Sequence, residues 1–131
     1  MIYLDTSALL KLVVAESESD QLAGWLEERS DELCVTSDLT RVELLRAVMR
    51  REPTALLLAQ QRIARLHRIP LRDEILTAAS TCLPPALRSL DAIHLASARS
   101  LRGQLKAFVV YDHRLFTAAT EAGLDAVAPG Q

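Results

Sequence analysis

Aromatic side chains are scarce: Trp25 stands alone, with two tyrosines and two phenylalanines in the whole chain. A sequence this poor in rings offers no broad platform for stacking successive bases. Cysteine is limited to Cys34 and Cys82. Neither has a partner at short spacing or a histidine cluster nearby, so no zinc site or disulfide framework is expected, and a reducing, cytoplasmic setting fits best. Glycine occurs four times, with no Gly/Ser linker, internal repeat or low-complexity tract. No window approaches the ~20 apolar residues that cross a bilayer, and no signal-peptide pattern opens the sequence, so neither membrane nor export is expected. Lysine is confined to Lys11 and Lys106.

What is present is an apolar half of 131 residues, enough for one sizeable core and most simply a single domain over residues 1–131. The net charge of −2 argues against nucleic acid as an average, but it hides an asymmetry. Glu16 to Glu32 carries seven acids against Arg29, whereas Arg41 to Arg72 carries eight arginines against Glu43 and Glu52. Solvated helix faces account for many such runs. An arginine-rich stretch also supplies phosphate contacts, and Arg41, Arg46 and Arg50 are the candidates for an RNA backbone.

Short apolar runs predict strands at Ile2–Asp5, Leu33–Thr36, Ile69–Leu71, Ala107–Tyr111 and Ala126–Ala128. Helical periodicity covers Ser7–Val14, Ser19–Arg29, Leu39–Arg51, Thr54–Arg68, Glu74–Cys82, Asp91–Leu101 and His113–Glu121. Pro53 suits the first turn of a helix, and Pro84-Pro85 a loop. Strands alternating with helices imply a short parallel sheet covered on both faces, a three-layer α/β/α sandwich.

Four acids then occupy equivalent places. Asp5 ends the first strand, Glu43 lies in the opening turns of the helix after the second, Asp91 begins a helix, and Asp112 follows the strand AFVVY. Strand C-termini and the N-termini of following helices share one edge of a parallel sheet, so the four carboxylates should converge there. Each also has an ordinary reading: Asp5 and Asp91 as helix caps, Asp112 as a turn residue, Glu43 as partner of Arg46 or Arg50. Clustered anions repel and call for a cation, and an all-oxygen set favours the hard ions Mg²⁺ or Mn²⁺.

The segments MIYLDTSAL, TRVELLRAV, LRSLDAIHLASA and VVYDHRL resemble a PIN domain, and more narrowly the toxin of a VapBC-type toxin–antitoxin pair. The likeness spans nearly the whole chain, with LDAIHLA its most specific part. It implies a divalent-metal-dependent endoribonuclease in which Asp5, Glu43, Asp91 and Asp112 bind Mg²⁺ or Mn²⁺, leaving 5′-phosphate and 3′-hydroxyl ends. It also implies a small VapB-like antitoxin as partner, and a homodimer is expected. Thr6 or Ser7 would support the site beside Asp5. Such an ion activates water and neutralises charge on the phosphodiester.

His94, three residues after Asp91, imitates a metal-binding pair, but its apolar surroundings favour a hydrogen-bonded structural role. His113 and His67 read as surface residues. Arg88, Ser89 and Arg114 flank the acids and either hold a phosphate or pair at the surface. Trp25 suits a core or dimer interface. Two alternatives stay open: a PIN-like protein that binds RNA without cutting it, and an Asp-nucleophile phosphatase or receiver domain. The second wants a lysine at the phosphoryl group, and Lys106 should lie at the far end of its strand.

Overall fold

The computed structural model describes all 131 residues. Ile2–Leu4 forms β1, and its alternation builds both halves of the core. Ile2 and Leu4 pack on one face with Ala8, Leu9, Leu22, Leu44, Val48 and Ile63. Tyr3 points to the other, with Val35, Leu95, Phe108 and Leu115. Period-two side chains on a strand buried on both faces produce this division.

Four further strands complete a parallel sheet: β2 (Cys34–Ser37), β3 (His67–Ile69), β4 (Ala107–Val109) and β5 (Ala126–Val127). Their order is β3-β2-β1-β4-β5. β1 pairs with β2 through Tyr3↔Val35 and with β4 through Tyr3↔Phe108. Helices α1 (Thr6–Val13), α2 (Ser19–Glu27), α3 (Thr40–Arg51) and α4 (Leu56–Arg65) contribute to the core of the Ile2 face. Helices α5 (Asp73–Ser80), α6 (Ser89–Arg99) and α7 (His113–Glu121) contribute to that of the Tyr3 face. The three-layer α/β/α expectation holds. Gly123, at φ +86°, lets the chain leave α7 in the left-handed conformation that favours glycine.

Most boundaries differ from the expected ones by a residue or two, and two differences matter. The helix expected over Thr54–Arg68 stops at Arg65, and the strand expected over Ile69–Leu71 lies instead over His67–Ile69, paired with Val35–Ser37 at the sheet edge. Sheet hydrogen bonds to β2 outweigh the helical continuity of the Arg-rich tail. Helix α6 begins at Ser89 rather than Asp91, which puts Asp91 inside the first turn. Cys34 borders the core on the Ile2 face and Cys82 the core on the Tyr3 face, so the sheet separates the two free thiols. No helix is long and apolar enough to cross a membrane.

Candidate metal centre

The chain leaves β1 toward β2 and β3 on one side and later fills β4 and β5 on the other. The strand order therefore reverses between β1 and β4, and the crevice beyond their carboxyl ends is where open α/β sheets bind ligands. Asp5 follows β1 directly, and Asp112 lies just beyond β4. Glu43 and Asp91 sit in the first turns of α3 and α6. Four separate chain segments thus deliver the four sequence-predicted acids to one edge.

Asp5 is 4% exposed. It is the N-cap of α1, with its Oδ1 accepting from the Ala8 amide at 3.0 Å and from the Ser7 hydroxyl at 2.6 Å. Ser7 Oγ in turn accepts from the Tyr111 amide at 3.0 Å, which ties the start of α1 to the end of β4. Capping and site membership are therefore compatible, because a cap uses one carboxylate oxygen. Asp112 repeats the pattern at α7, where Oδ1 accepts from the Leu115 amide at 3.0 Å. Asp91 does not: Arg88 occupies the N-cap of α6 without a side-chain cap bond, and no hydrogen bond or ion pair of the protein reaches the Asp91 carboxylate. The capping reading fails for Asp91.

Glu43 does not pair with Arg46 or Arg50. Its Oε1 accepts from the Thr6 hydroxyl at 2.7 Å and lies 2.6 Å from His94 Nε2. His94 is 2% exposed, and its Nδ1 is 2.7 Å from the Tyr3 hydroxyl. His94 has the hydrogen-bonded interior place expected of it, but its bond to Glu43 has no signal in local sequence spacing. Thr6 and Ser7 both support the site, each serving a different acid.

Electrostatics sets two of these acids apart. Burial pushes the Asp5 carboxyl up to about 6, opposed by His94 and the Ser7 and Ala8 hydrogen bonds and assisted by Asp91. Burial also raises Asp91, with Asp112 and Glu43 adding their repulsion. For Glu43, burial acts in the same direction, but the His94 and Thr6 hydrogen bonds outweigh it and hold the carboxyl below its ordinary value.

The side chains share an edge without closing into a cage. No group of three or more acidic, histidine or cysteine side chains is gathered tightly enough to hold one ion as it stands, which corrects the expectation of full convergence. Like charges repel, and Asp5, Glu43 and Asp112 each bind a local donor instead. The donor set nevertheless fits a hard cation in chemistry. The hydrogen bonds to Asp5, Glu43 and Asp112 all fall on a single oxygen of each, leaving the other oxygen free, and Asp91 keeps both. A carboxylate with one oxygen hydrogen-bonded and the other free suits a ligand of Mg²⁺ or Mn²⁺.

Neither lysine reaches this edge. Lys106 precedes β4 and pairs with Glu32, while Lys11 faces Glu16, Glu18 and the Tyr111 ring. The phosphatase or receiver reading thus loses the lysine it needs. The eight arginines of the basic stretch divide. Arg41, Arg51, Arg68 and Arg72 pair with Asp38, Glu16, Asp38 and Glu74. Arg46, Arg50, Arg62 and Arg65 are exposed with no ion pair. Arg88 and Arg114 are also exposed, and Trp25 is half-buried under the Arg29 guanidinium, 4.0 Å from its ring centroid.

Comparison with known proteins agrees with this fold. The family model described as PIN domain matches residues 2–121. Ribonuclease VapC35 of Mycobacterium tuberculosis is 48% identical over 133 residues, covering 100% of this chain and 98% of its own. The crystal structure of Mycobacterium tuberculosis VapC20, a Sarcin-Ricin loop cleaving toxin, superposes with a TM-score of 0.76 at 16% identity, covering 98% of this chain and 100% of that one. A toxin–antitoxin complex from Klebsiella pneumoniae contains a chain with a TM-score of 0.74 at 18% identity, covering 100% of this chain and 99% of that one. With the fold, the carboxylate edge and these matches together, the chain belongs to the PIN-domain family.

Proposed function

We propose that this chain, acting as one domain over its 131 residues, is a divalent-metal-dependent endoribonuclease that hydrolyses RNA phosphodiester bonds and is held inactive by a small antitoxin. The observation that carries the reading is the set of four carboxylates from four chain segments at the switch-point edge, each with at least one oxygen free. The ribonuclease name of the 48% identical relative supports the activity, and the Klebsiella pneumoniae complex supports an antitoxin partner. A homodimer belongs to the same proposal and is read by sedimentation of the purified chain.

Asp5, Asp91, Asp112 and Glu43 would hold Mg²⁺ or Mn²⁺. When bound, the ion supplies charge neutralisation at the phosphate and lowers the pKa of water. The chain's own residues do the positioning. Ser7 and the Ala8 amide fix Asp5, Thr6 and His94 fix Glu43, and the N-termini of α1, α3, α6 and α7 present their positive dipole ends to an anionic substrate. Glu43, Arg46 and Arg50 follow at three- and four-residue spacing along α3, so the two unpaired arginines continue from the site along one side of the helix. They would take RNA phosphates on one side of the cut.

The test is to incubate the purified chain, freed of antitoxin, with total RNA plus Mg²⁺ or Mn²⁺, and to map new 5′ ends against a chelator control. Discrete cuts bearing 5′-phosphate support the reading. Intact RNA despite measurable metal and RNA binding would leave a binding protein.

A further inference from the structure

We propose that His94 is a positioning residue for this centre: fixed by Tyr3, it donates from Nε2 to Glu43 Oε1 and so holds the free Oε2 of Glu43 toward the ion. The inference rests on the metal-centre reading above and adds to it a route by which the sheet core orients one ligand.

Three elements meet at the buried imidazole. Tyr3 comes from β1, Glu43 from α3, and Thr6 opens α1, with its hydroxyl 3.3 Å from Nε2 and 2.7 Å from Glu43 Oε1. An ionised glutamate can only accept, so the ring nitrogen 2.6 Å from it must carry a proton. The Tyr3 hydroxyl lies 2.7 Å from Nδ1 and holds the other end of the ring. Tyr3 has no freedom to turn aside. It is fully buried, stacked on Phe108 at 5.1 Å between centroids and edge-on to His94 at 5.9 Å. Tyr3 thereby fixes the ring, and the ring fixes the orientation of Glu43.

Glu43 is the acid of the four that most needs this help. The other three are aspartates, two of them anchored by backbone amides of their own helices. A glutamate has one more rotatable bond and loses more freedom when it is held. Two donors converging on the same oxygen, from Thr6 and His94, remove that freedom before the ion arrives. This matches the general role of outer partners, whose loss commonly costs ten- to a hundred-fold in metal affinity.

The experiment is calorimetric titration of the chelator-stripped chain with Mn²⁺, in wild type, His94→Ala, His94→Gln, Glu43→Gln and the double variant His94→Ala/Glu43→Gln. His94→Ala should bind Mn²⁺ about ten-fold or more weakly, and His94→Gln, whose amide donates from nearly the same place, should recover most of the loss. The double variant should be no weaker than Glu43→Gln alone, because His94 acts through Glu43. In metal-free wild type, nitrogen-15 spectra of labelled histidine should show a proton on His94 Nε2. If His94→Ala does not fold, Tyr3→Phe takes its place in the cycle and should weaken Mn²⁺ binding through Glu43 alone. Wild-type affinity in His94→Ala, fully additive losses, or a proton on Nδ1 alone would each overturn the role of His94. Normal Mn²⁺ binding by Glu43→Gln alongside its loss in Asp5→Asn would overturn it too while sparing the metal centre. No Mn²⁺ binding by wild type would remove both.

Discussion

Two groups of acids in this molecule behave in opposite ways. Glu16, Glu18 and Glu32, from the acidic stretch, are closed off by cations: Glu16 by Lys11 and Arg51, Glu18 by Lys11, and Glu32 by Lys106 and the N-terminal ammonium. A Gln131 hydrogen bond and then Lys11 hold Glu18 below the ordinary carboxylate value, and Lys106 and the N-terminus do the same for Glu32. At the switch-point edge, Asp5 and Asp91 have no Lys or Arg ion pair and are pushed up. The difference separates acids that stabilise the fold from acids the fold must tolerate. Acids of the first kind lie in a run of acidic residues in sequence, and those of the second, Asp5 and Asp91, stand isolated.

The largest expected effect is on activity. Asp5→Asn and Asp91→Asn should each lower RNA cleavage by at least ~100-fold, whereas Glu32→Gln should leave the initial rate unchanged. Near wild-type cleavage by both aspartate variants would erase the contrast.

Stability in chelator should move oppositely for the two groups. Asp5 titrates at about 6 folded against 3.8 unfolded, so the native state favours the protonated form. Its ionisation therefore costs stability as pH rises from about 4 to about 6, on the order of 3 kcal/mol at 1.36 kcal/mol per unit. Asp5→Asn keeps a capping oxygen and removes the charge, so in chelator at pH 7 it should melt higher than wild type and lose the pH 4–6 decline. Glu18 and Glu32 have the reverse sign: their stabilisation is present above the unfolded pKa and disappears as pH falls through the lowered folded value. Thermal melts across pH check both directions, and a lower Tm for Asp5→Asn in chelator would contradict the first.

Metal should act against this trend. Mn²⁺ at one hundred times its Kd should stabilise wild type by about 2.7 kcal/mol, and Asp91→Asn should gain much less. Equal gains in the two proteins would show that Asp91 is not a ligand.

A smaller effect concerns the arginines. Arg46→Ala with Arg50→Ala should reduce the slope of log affinity against log salt by roughly 1.4 for single-stranded RNA, about 0.7 per phosphate contact. Arg41→Ala and Arg51→Ala, whose guanidinium groups pair with Asp38 and Glu16, should change it less. The smallest effect is at Lys106→Ala, which loses a surface pair with Glu32, read as a slight shift in melting.

Much of this arrangement is legible in local pattern. The alternation of Ile2, Tyr3 and Leu4, the periodic helices and the rule that strand ends share an edge suffice to place all four acids. The start of α6 is misplaced by two residues because its N-cap, Arg88, makes no side-chain cap bond, and β3, expected at Ile69–Leu71, begins two residues earlier in what looks like a helix tail. The partner of Glu43 is hidden for a different reason: His94 is 51 residues away and Tyr3 91 residues from His94. Contacts of that separation follow from the way strands and helices stack, and Tyr3 between two aliphatic neighbours reads simply as core.

The four carboxylates come from positions 5, 43, 91 and 112, one from each of four crossovers of the sheet. Translation therefore delivers them in series, and a nascent chain released before residue 112 carries at most three. β4, which pairs with β1 to form the switch point, emerges immediately before the last of them. On the proposal that all four serve the cut, the nuclease stays silent through most of its own synthesis, since early and late parts of the chain must meet before it acts.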